Sequence, residues 1–307
     1  MTKQIFKVDE TEAGARVDNY LSALFDNYSR TKIQSLIKSS LVFINGKPCK
    51  PSQSINTDDE IICDFDEAED IKILPENIPL DIKYEDEYLA IVNKPSGMLT
   101  HPTSNEKTGT LVNALLYKYG DNLSDINGPF RRGIVHRLDR NTSGLLIIAK
   151  TNETHEKIAD MIKQRLIEKH YRTIVKGRIT QDMVIEDPIA RSKSQPNKMC
   201  VSPDGKPSLT EISVLENFEN ETYLDVNLKT GRTHQIRVHL SHIGHPVYND
   251  TMYGFGKMKI KTDEQVLQSY LLRFNHPFSD KIIDVKIEPD EKVNKILNYL
   301  RNKGENK

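Results

Sequence analysis

The segment from Thr57 to Asp70 constrains the fold most strongly, because it separates the chain into two parts. It holds eight acidic residues and no Lys or Arg, and the Pro-containing stretch Leu74–Pro79 follows it. This composition is typical of a linker. With 307 residues, 37% of them hydrophobic, the chain can still bury a substantial core. We therefore predict a first domain at 14–62, an acidic linker at 63–78 and a second domain at 79–302.

The first domain has the pattern of a helix pair followed by a hairpin. Apolar residues recur at helical spacing between Arg16 and Phe25, and a second amphipathic helix begins near residue 30. The short apolar run Val42–Ile44 precedes Asn45-Gly46, which is a strong hairpin-turn signal. A further strand is predicted near Glu60–Cys63.

Positive charge is concentrated in this first domain although the formal net charge of the whole chain is only −1. Between residues 28 and 50 there are five Lys or Arg residues and no acid. Arg30, Gln34 and Lys38 follow one another at intervals of four, so a helix presents them on one face. Lys47 follows the hairpin turn. By itself this stripe is more typical of a solvated helix face than of an RNA-binding surface.

The second domain mixes strands and helices without regular alternation, which favours an α+β fold on a mixed, largely antiparallel sheet. The predicted strands are Tyr88–Asn93, Leu145–Lys150, Tyr171–Val175, Leu209–Leu215 and Tyr223–Leu228. The predicted helices are Thr110–Lys118, Asn152–Leu166, Thr233–Ile243 and Glu291–Arg301.

The segment Gly133–Gly144 carries the densest polar cluster between apolar segments. Its pattern predicts a strand, a tight polar loop and a buried strand. Asp139 lies between Arg137 and Arg140, and nearby cations favour the ionised carboxylate. Such a carboxylate can act as a nucleophile or a base. An Asp that only caps a turn or pairs with an Arg is the structural alternative.

The string HRLDRNTSG at His136–Gly144 resembles the signature loop of the RluA-type pseudouridine synthases. Asn93–Gly97, Lys169–Arg172 and Gly231–His239 are similar to further motifs of that family, and residues 14–62 resemble an S4 (α-L) RNA-binding domain. The resemblance extends from about residue 14 to about residue 290. It implies a pseudouridine synthase fold with flanking helices in the second domain.

The resemblance also implies roles for three residues of the catalytic site. Asp139 is expected to be the nucleophile, Tyr171 to stack on the flipped base, and Arg237 to pair with Asp139. Isomerising a uridine requires the base to leave its stack and enter a pocket. Attack at C6 of the base and attack at C1′ of the sugar both remain open.

The substrate implied by the resemblance is structured RNA, specifically large-subunit ribosomal RNA in the subunit-interface stem-loop. We expect a monomer that acts in the cytoplasm, binds no membrane and needs no cofactor or metal. The residues predicted to contact RNA are Arg30, Gln34, Lys38, Lys47, Arg137, Arg140, Arg232 and His234.

Three other functions compete with this hypothesis. A sister enzyme of the same layout would modify other ribosomal uridines, and a non-catalytic S4-type RNA-binding ribosome assembly factor would keep only the RNA surface. A metal-dependent hydrolase would use His136 and Asp139, but the histidines between 234 and 245 lack an HExxH pattern. The three cysteines have no metal-site spacing and are expected to be reduced thiols.

The sequence departs from the family pattern in two places. Tyr270 stands where relatives usually carry His, and Ser39-Ser40 follows the second helix where Gly is usual. The second change leaves the C-terminal cap of that helix unpredicted.

Overall fold

The computed structural model describes residues 3–10, 12–25, 28, 30–65, 73–103, 105–254, 260, 262 and 264–305. The chain forms two compact units, Met1–Lys72 and Ile73–Lys307. Within the described ranges, every helix is too short or too polar to cross a lipid bilayer.

The first unit packs two helices on a small antiparallel sheet. Its elements are β1 (Gln4–Lys7), α1 (Val17–Leu24), α2 (Arg30–Lys38), β2 (Val42–Ile44), β3 (Lys47–Pro48) and β4 (Glu60–Cys63). The strand order is β1-β4-β2-β3. Ile33, Leu36 and Ile37 of α2 are buried in one core with Val17 and Leu21 of α1. The predicted helices, hairpin and strand are all present, and β1 precedes the predicted start of the domain.

The turns of this unit follow from individual residues. Ile44 pairs with Lys47, so Asn45 and Gly46 form a two-residue hairpin turn, with φ of 51° and 75°. Ser40 ends α2 in the left-handed conformation at φ 58°. The Leu41 N–H donates to Leu36 O at 3.1 Å, which is the bond of a Schellman cap. A serine therefore occupies the conformation that Gly usually takes.

The second unit is built on a sheet of nine strands with a separate two-stranded hairpin. Its first elements are β5 (Asp81–Glu85), β6 (Leu89–Lys94), α3 (Leu111–Tyr119), β7 (Ser143–Ala149), α4 (Asn152–Lys163), β8 (Glu168–Lys176) and β9 (Met183–Ile185). The remaining elements are β10 (Ile189–Arg191), β11 (Met199–Val201), β12 (Thr210–Asn217), β13 (Glu221–Leu228), α5 (Gln235–His242), β14 (Leu267–Asn275), β15 (Ile282–Lys286) and α6 (Glu291–Glu305).

The strand order of the large sheet is β5-β6-β7-β14-β8-β13-β12-β9, and β15 pairs with β14. Only the β7–β14 pair is parallel among the described strands, and the other pairs are antiparallel. The predicted α+β class on a mixed, largely antiparallel sheet is confirmed. Helices cover both faces, which explains why every residue of β7 is buried.

Alternate residues of β7 enter different cores. Leu146 and Ile148 pack with helices α3 and α5, whereas Leu145 and Ile147 pack with Ile158 of α4. On the second of these faces, α6 covers the sheet beside Ile174 of β8. The central strands are therefore fixed from both sides, and loops that leave them are held in place.

Apart from shifts of a few residues at the ends of helices and strands, the structure differs from the predicted boundaries in three places. Residues 73–78 belong to the second unit rather than to a linker, because Ile73 is buried in its core and Glu76 accepts the Gly109 N–H. The expected strand before Asp139 is reduced to one bridge, Ile134 to Ile148. Helix α5 begins at Gln235 instead of Thr233, since His234 is left-handed. Part of the predicted linker, 66–72, lies outside the described residues.

Candidate active site

The loop that carries Asp139 ends where β7 meets β14 in parallel. Gly144 pairs with Ser269 there, and a Cβ on Gly144 would lie 2.0 Å from Ser269 O. Its φ of 113° is also one that glycine adopts most readily. The glycine of the signature motif is thus required by the close approach of two backbones, and it fixes the exit of the loop.

Buried polar groups hold the loop from below. The ammonium of Lys94 donates to Arg140 O at 3.0 Å and also to two carbonyls of its own segment. Thr100 Oγ1 donates to Leu138 O at 2.9 Å, and Lys292 Nζ donates to Asn141 O at 3.1 Å. Burial lowers the pKa of Lys94 to about 7. Carbonyls on both sides of Asp139 are therefore anchored.

A partly open pocket with a cavity volume of about 60 Å³ lies above this loop. Apolar side chains form its wall: Leu138, Leu228, Ile236 and Leu267. The polar and aromatic residues that line it are Arg137, Asp139, Thr142, Tyr171, Arg232, His234, Gln235 and Arg237. The structure thus brings Asp139, Tyr171 and Arg237 together from three separate motifs.

Arg237 connects two carboxylates. Its Nη1 donates to Asp139 Oδ2 at 3.0 Å, while Nε and Nη2 bind both oxygens of Asp250 at 2.7 and 2.9 Å. Burial alone would lower the pKa of Arg237, but the two carboxylates outweigh it and raise that pKa. The Asp250 side chain is 0% exposed and that of Asp139 is 19% exposed. Asp250 therefore holds the arginine, and Asp139 remains open to the pocket.

Asp139 is bound through one oxygen only. Oδ2 accepts from Arg237 and lies 3.9 Å from His234 Nε2, and no described residue donates to Oδ1. A carboxylate that is oriented by a charge-assisted hydrogen bond yet keeps free lone pairs can attack an electrophile.

Tyr171 lies on β8 and is 5% exposed, with its side chain at the pocket wall. Burial raises the pKa of its hydroxyl well above the ordinary value, and the Asp139 charge acts in the same direction. The phenol therefore stays protonated at neutral pH. Such a residue offers a flat apolar surface and a hydrogen-bond donor rather than a ready base.

His234 enters the pocket because its backbone is left-handed, at φ 56°. Its Nδ1 lies 2.8 Å from the Tyr253 hydroxyl, which also accepts the Met199 N–H at 2.8 Å. Burial lowers the pKa of His234, and the charge of Asp139 opposes this without outweighing it. A neutral imidazole with the proton on Nε2 satisfies these contacts.

The other predicted residues of the second unit have different surroundings. Arg140 forms an ion pair with Glu106 instead of flanking the Asp139 carboxylate, so the cation beside Asp139 is Arg237. His136 accepts the Ile147 N–H at 2.9 Å, and burial lowers its pKa. Arg137 and Arg232 both line the pocket, and their contact with RNA stays a prediction.

The histidines downstream of His234 are separately bonded. His239 contacts Thr210 and Asp187, and His245 contacts Lys176 O. In the described part of the chain, no group of three His, Cys, Asp or Glu residues is placed to hold a metal.

In the first unit, two of the four residues predicted to contact RNA also donate hydrogen bonds within the fold. Arg30 and Gln34 donate to the buried carboxylate of Asp18 at 3.1 and 2.7 Å. Lys38 and Lys47 are exposed. The contact of all four with RNA stays a prediction; within the fold, Gln34 binds Asp18 and Arg30 shares its guanidinium with the same carboxylate.

Sequence reasoning missed Asp250 and Tyr253. Both lie in Pro246–Gly254, where the Asp250 carboxylate accepts the N–H groups of Met252 and Tyr253 and so shapes a turn. An Asp and a Tyr three residues apart, after an apolar pair at Val247-Tyr248, indicate a turn but not its target. Only the packing of this turn on α5 reveals the contact with Arg237.

Comparison with known proteins shows which family and which domain the chain matches. The profile of the RNA pseudouridylate synthase family matches residues 88–242, and that of the S4 domain matches residues 15–61. Human RNA Pseudouridylate Synthase Domain Containing 1 superposes with a TM-score of 0.57 at 24% identity, covering 74% of this chain and 96% of that structure. That likeness concerns the fold alone.

Several curated relatives match over most of the chain. An uncharacterized RNA pseudouridine synthase of Aquifex aeolicus (strain VF5) is 40% identical, with 96% of both chains covered. The uncharacterized RNA pseudouridine synthase YlyB of Bacillus subtilis (strain 168) is 38% identical, covering 96% of this chain and 97% of the relative. Ribosomal large subunit pseudouridine synthase D of Escherichia coli (strain K12) is 37% identical, covering 89% and 86%. With the signature loop, the pocket and these matches in agreement, the chain belongs to the RNA pseudouridine synthase family and carries an S4 domain at residues 15–61.

Proposed function

We propose that this protein isomerises uridines of large-subunit ribosomal RNA to pseudouridine, with Asp139 as the nucleophile. The observation that carries the proposal is the carboxylate of Asp139, held by Arg237 at 3.0 Å on one oxygen and open to a pocket on the other. The reaction breaks the N1–C1′ bond, rotates the base and forms a C5–C1′ bond. The C5 proton leaves and N1 gains a proton, so the product is an isomer of the substrate.

Asp139 supplies the covalent step in either route. It adds to C6 of the base or to C1′ of the sugar, and in both cases an ionised carboxylate forms a bond that is later broken. Arg237 orients the carboxylate, because its guanidinium is itself fixed by Asp250. The role of Asp250 is therefore to position Arg237.

Tyr171 supports the detached base. Its ring at the pocket wall can stack on uracil, which typically contributes about 1 to 3 kcal/mol per base. Since its raised pKa keeps the phenol protonated, removal of the C5 proton requires that Tyr171 first transfer its own proton, or that Asp139 accept the C5 proton after the new bond has formed.

The ribosomal substrate is inferred from relatives. Ribosomal large subunit pseudouridine synthase D of Escherichia coli and of Yersinia pestis are 37% and 36% identical to this chain. The subunit-interface stem-loop is the proposed target, and other uridines of the same RNA are the alternative. We further propose that the protein works as a monomer in the cytoplasm, where it meets ribosomal RNA.

The test is incubation of wild type and Asp139→Asn with unmodified large-subunit ribosomal RNA, followed by mapping of pseudouridine at single-nucleotide resolution. We expect product with wild type only, at positions that name the target. Assembled large subunits are tested in parallel with free RNA. If neither protein forms product on either substrate while both bind RNA, the proposed activity is wrong and an RNA-binding assembly factor replaces it.

A further inference from the structure

His234 lines the Asp139 pocket but performs none of the steps assigned to Asp139, Arg237 and Tyr171. Its side chain is 16% exposed, and Nε2 lies 3.9 Å from Asp139 Oδ2. That distance is too long for a hydrogen bond, and no described residue accepts one from Nε2. The imidazole therefore keeps an unused hydrogen-bonding position next to the nucleophile.

The turn Pro246–Gly254 fixes this imidazole through Tyr253. The Tyr253 hydroxyl lies 2.8 Å from His234 Nδ1 and accepts the Met199 N–H at 2.8 Å. Since it receives a hydrogen from Met199, its own O–H is directed at Nδ1, and a neutral ring then carries its hydrogen on Nε2. The two rings meet edge-on with their centroids 5.5 Å apart. The turn therefore sets both the tautomer and the direction of the imidazole.

The charged groups around His234 keep the ring neutral. Burial lowers its pKa, and the cations Arg237 and Arg137 act in the same direction, while Asp139 and Asp250 oppose them without outweighing them. A protonated His234 would form an ion pair with Asp139 and occupy the nucleophile. A neutral ring leaves the carboxylate available and still offers one N–H donor.

Both routes open to Asp139 place negative charge on the uracil ring. Addition of the carboxylate to C6 gives an enolate with its charge on O4. Attack at C1′ breaks the N1–C1′ bond and releases the base as an anion whose charge is shared by N1, O2 and O4. The charge leaves the base when C5 bonds to C1′ and the carboxylate departs. A fixed donor beside a carbonyl oxygen of the base lowers the barrier in either route.

We propose that His234 donates its Nε2 hydrogen to a carbonyl oxygen of the target uracil, and that Tyr253 positions it for this contact. The inference rests on the proposed function for its reaction. The turn that holds Arg237 through Asp250 holds His234 through Tyr253. One segment thus places a charged donor on the nucleophile and a neutral donor on the base.

The first test measures the single-turnover rate and the Kd of the full-length protein with the RNA stem-loop that contains the target uridine. For His234→Ala we expect about 10²-fold slower product formation, which is typical of losing one such donor. The Kd should stay within about two-fold, because the contact strengthens only as charge develops. Weaker RNA binding with an unchanged rate at saturating RNA would overturn the proposal.

Two further variants separate the donor from the fold. His234→Gln keeps an N–H group near the position of Nε2, so we expect it to recover at least about ten-fold of the lost rate. His242→Ala removes a histidine that is 50% exposed on the same helix, α5, and it is expected to leave the rate unchanged. Equal rates for His234→Gln and His234→Ala would show that the ring only supports the fold.

The second test changes the acceptor on the substrate. RNA with 2-thiouridine or 4-thiouridine at the target replaces O2 or O4 by sulfur, which is a weaker acceptor. With one of the two, the ratio of the wild-type rate to the His234→Ala rate should fall from about 10² to below about 10, which identifies the oxygen. An unchanged ratio with both would show that His234 acts through Asp139, and the proposal would be wrong.

The third test is independent of turnover. ¹⁵N NMR of Asp139→Asn should show a neutral His234 with its hydrogen on Nε2 between about pH 6 and pH 8. The Nε2 resonance should shift with the stem-loop but not with the same RNA carrying abasic sites in place of its uridines. In Tyr253→Phe the hydrogen should be shared between both nitrogens. A protonated ring, or a hydrogen on Nδ1 in the presence of Tyr253, would overturn the proposal.

The outcomes separate this contact from the proposed activity. If wild type forms no pseudouridine but the Nε2 resonance shifts only with the uridine-containing RNA, the contact with the base stands and the proposed activity fails. If wild type forms product and His234→Ala forms it equally fast, the activity stands and the role of His234 fails.

Discussion

Each unit of the protein contains an aspartate bound by arginine, and the two clusters differ in how completely the carboxylate is satisfied. Asp18 in the first unit is 0% exposed and accepts five hydrogen bonds from Arg16, Arg30 and Gln34. Asp139 in the second unit accepts one, from Arg237, and its other oxygen faces the pocket. Both oxygens of the Asp18 carboxylate accept hydrogen bonds, whereas only one oxygen of the Asp139 carboxylate does.

The second unit also contains a buried aspartate, Asp250, that binds the same arginine as Asp139 and accepts more hydrogen bonds than Asp139 does. Asp250 accepts two bonds from Arg237 and two from backbone N–H groups. The arginine is therefore fixed by the buried carboxylate of Asp250 and donates a further N–H to Asp139. Charge alone does not distinguish these three aspartates, and the number of donors around each one does.

The largest expected effect concerns Asp139. Asp139→Asn keeps the shape of the side chain but removes the charge, so we expect the single-turnover rate of pseudouridine formation to fall by at least about 10⁴-fold, as for loss of a nucleophile in other enzymes. The free energy of unfolding should change little, because the side chain is partly exposed. The rate is measured by tritium release from C5-labelled uridine in RNA, and urea unfolding is measured on the same samples.

Asp250→Asn should affect both rate and stability. The variant leaves the buried guanidinium of Arg237 with a weaker partner, so we expect about 10²-fold slower product formation and a loss of about 3 kcal/mol in unfolding free energy. If Asp250 only stabilised the fold, the rate measured well below the unfolding temperature would be unaffected. Asp250→Glu is the conservative control, and partial recovery of the rate with unchanged RNA affinity supports a positioning role.

Asp18→Asn provides the converse test in the first unit. Loss of the charge weakens the hydrogen bonds from Arg16 and Arg30, and we expect about 2 kcal/mol lower stability of that unit. The catalytic rate on a short RNA that occupies only the second unit should stay within about two-fold of wild type. Hydrogen exchange of the α1 and α2 amides reports the local stability, and unchanged protection would contradict a structural role for this carboxylate.

The pH dependence of the first unit follows from the same cluster. Hydrogen bonds from Arg16 hold the pKa of Asp18 well below its ordinary value of 3.8, and the bonds from Gln34 and Arg30 add to this against the opposing effect of burial. A depressed pKa means that the ionised carboxylate stabilises the fold above about pH 4 and that this contribution is lost as pH falls further. Urea unfolding between about pH 3 and pH 7 should show the difference between wild type and Asp18→Asn shrinking below about pH 4, and a constant difference would contradict the assignment.

The smallest expected effect concerns the cap of α2. Ser40 adopts a left-handed conformation that costs a residue with a Cβ about 1 kcal/mol relative to glycine. Ser40→Gly should therefore raise the stability of the first unit by about that amount. Ser39→Gly, one residue earlier and without a positive φ, should lower it. Equal effects of the two substitutions would show that the cap is not strained.

Much of the fold was predictable from local pattern. The hairpin at Asn45-Gly46, the helical spacing in α1 and α2 and the lack of strand-helix alternation in the second unit were all confirmed, because each depends on neighbours in the chain. The predictions were wrong where contacts between residues distant in the chain determine the local structure. The expected strand before Asp139 is a loop held by Lys94 and Thr100, and residues 73–78 join the second unit through Glu76 and Ile73.

The residues of the candidate site could be identified from the family motifs but not from their positions relative to one another in the sequence. Asp139, Tyr171 and Arg237 were assigned from a resemblance, and they do line one pocket. Their roles stay predictions until the variants are measured. Arg140 was expected beside Asp139 because it is adjacent in sequence, yet its side chain pairs with Glu106. Residues next to one another in a loop point in different directions, so adjacency does not predict contact.

The sequence by itself determined the family, the two-part organisation and the identity of the candidate nucleophile, because those depend on residue types in a contiguous string and on local periodicity. Tertiary structure alone decided that Asp250 fixes Arg237 and that Arg140 turns away from Asp139 to pair with Glu106. The physical reason is that exposure and hydrogen-bond saturation of a charged group depend on residues distant in the chain, which meet only when the sheet and helix α5 pack together.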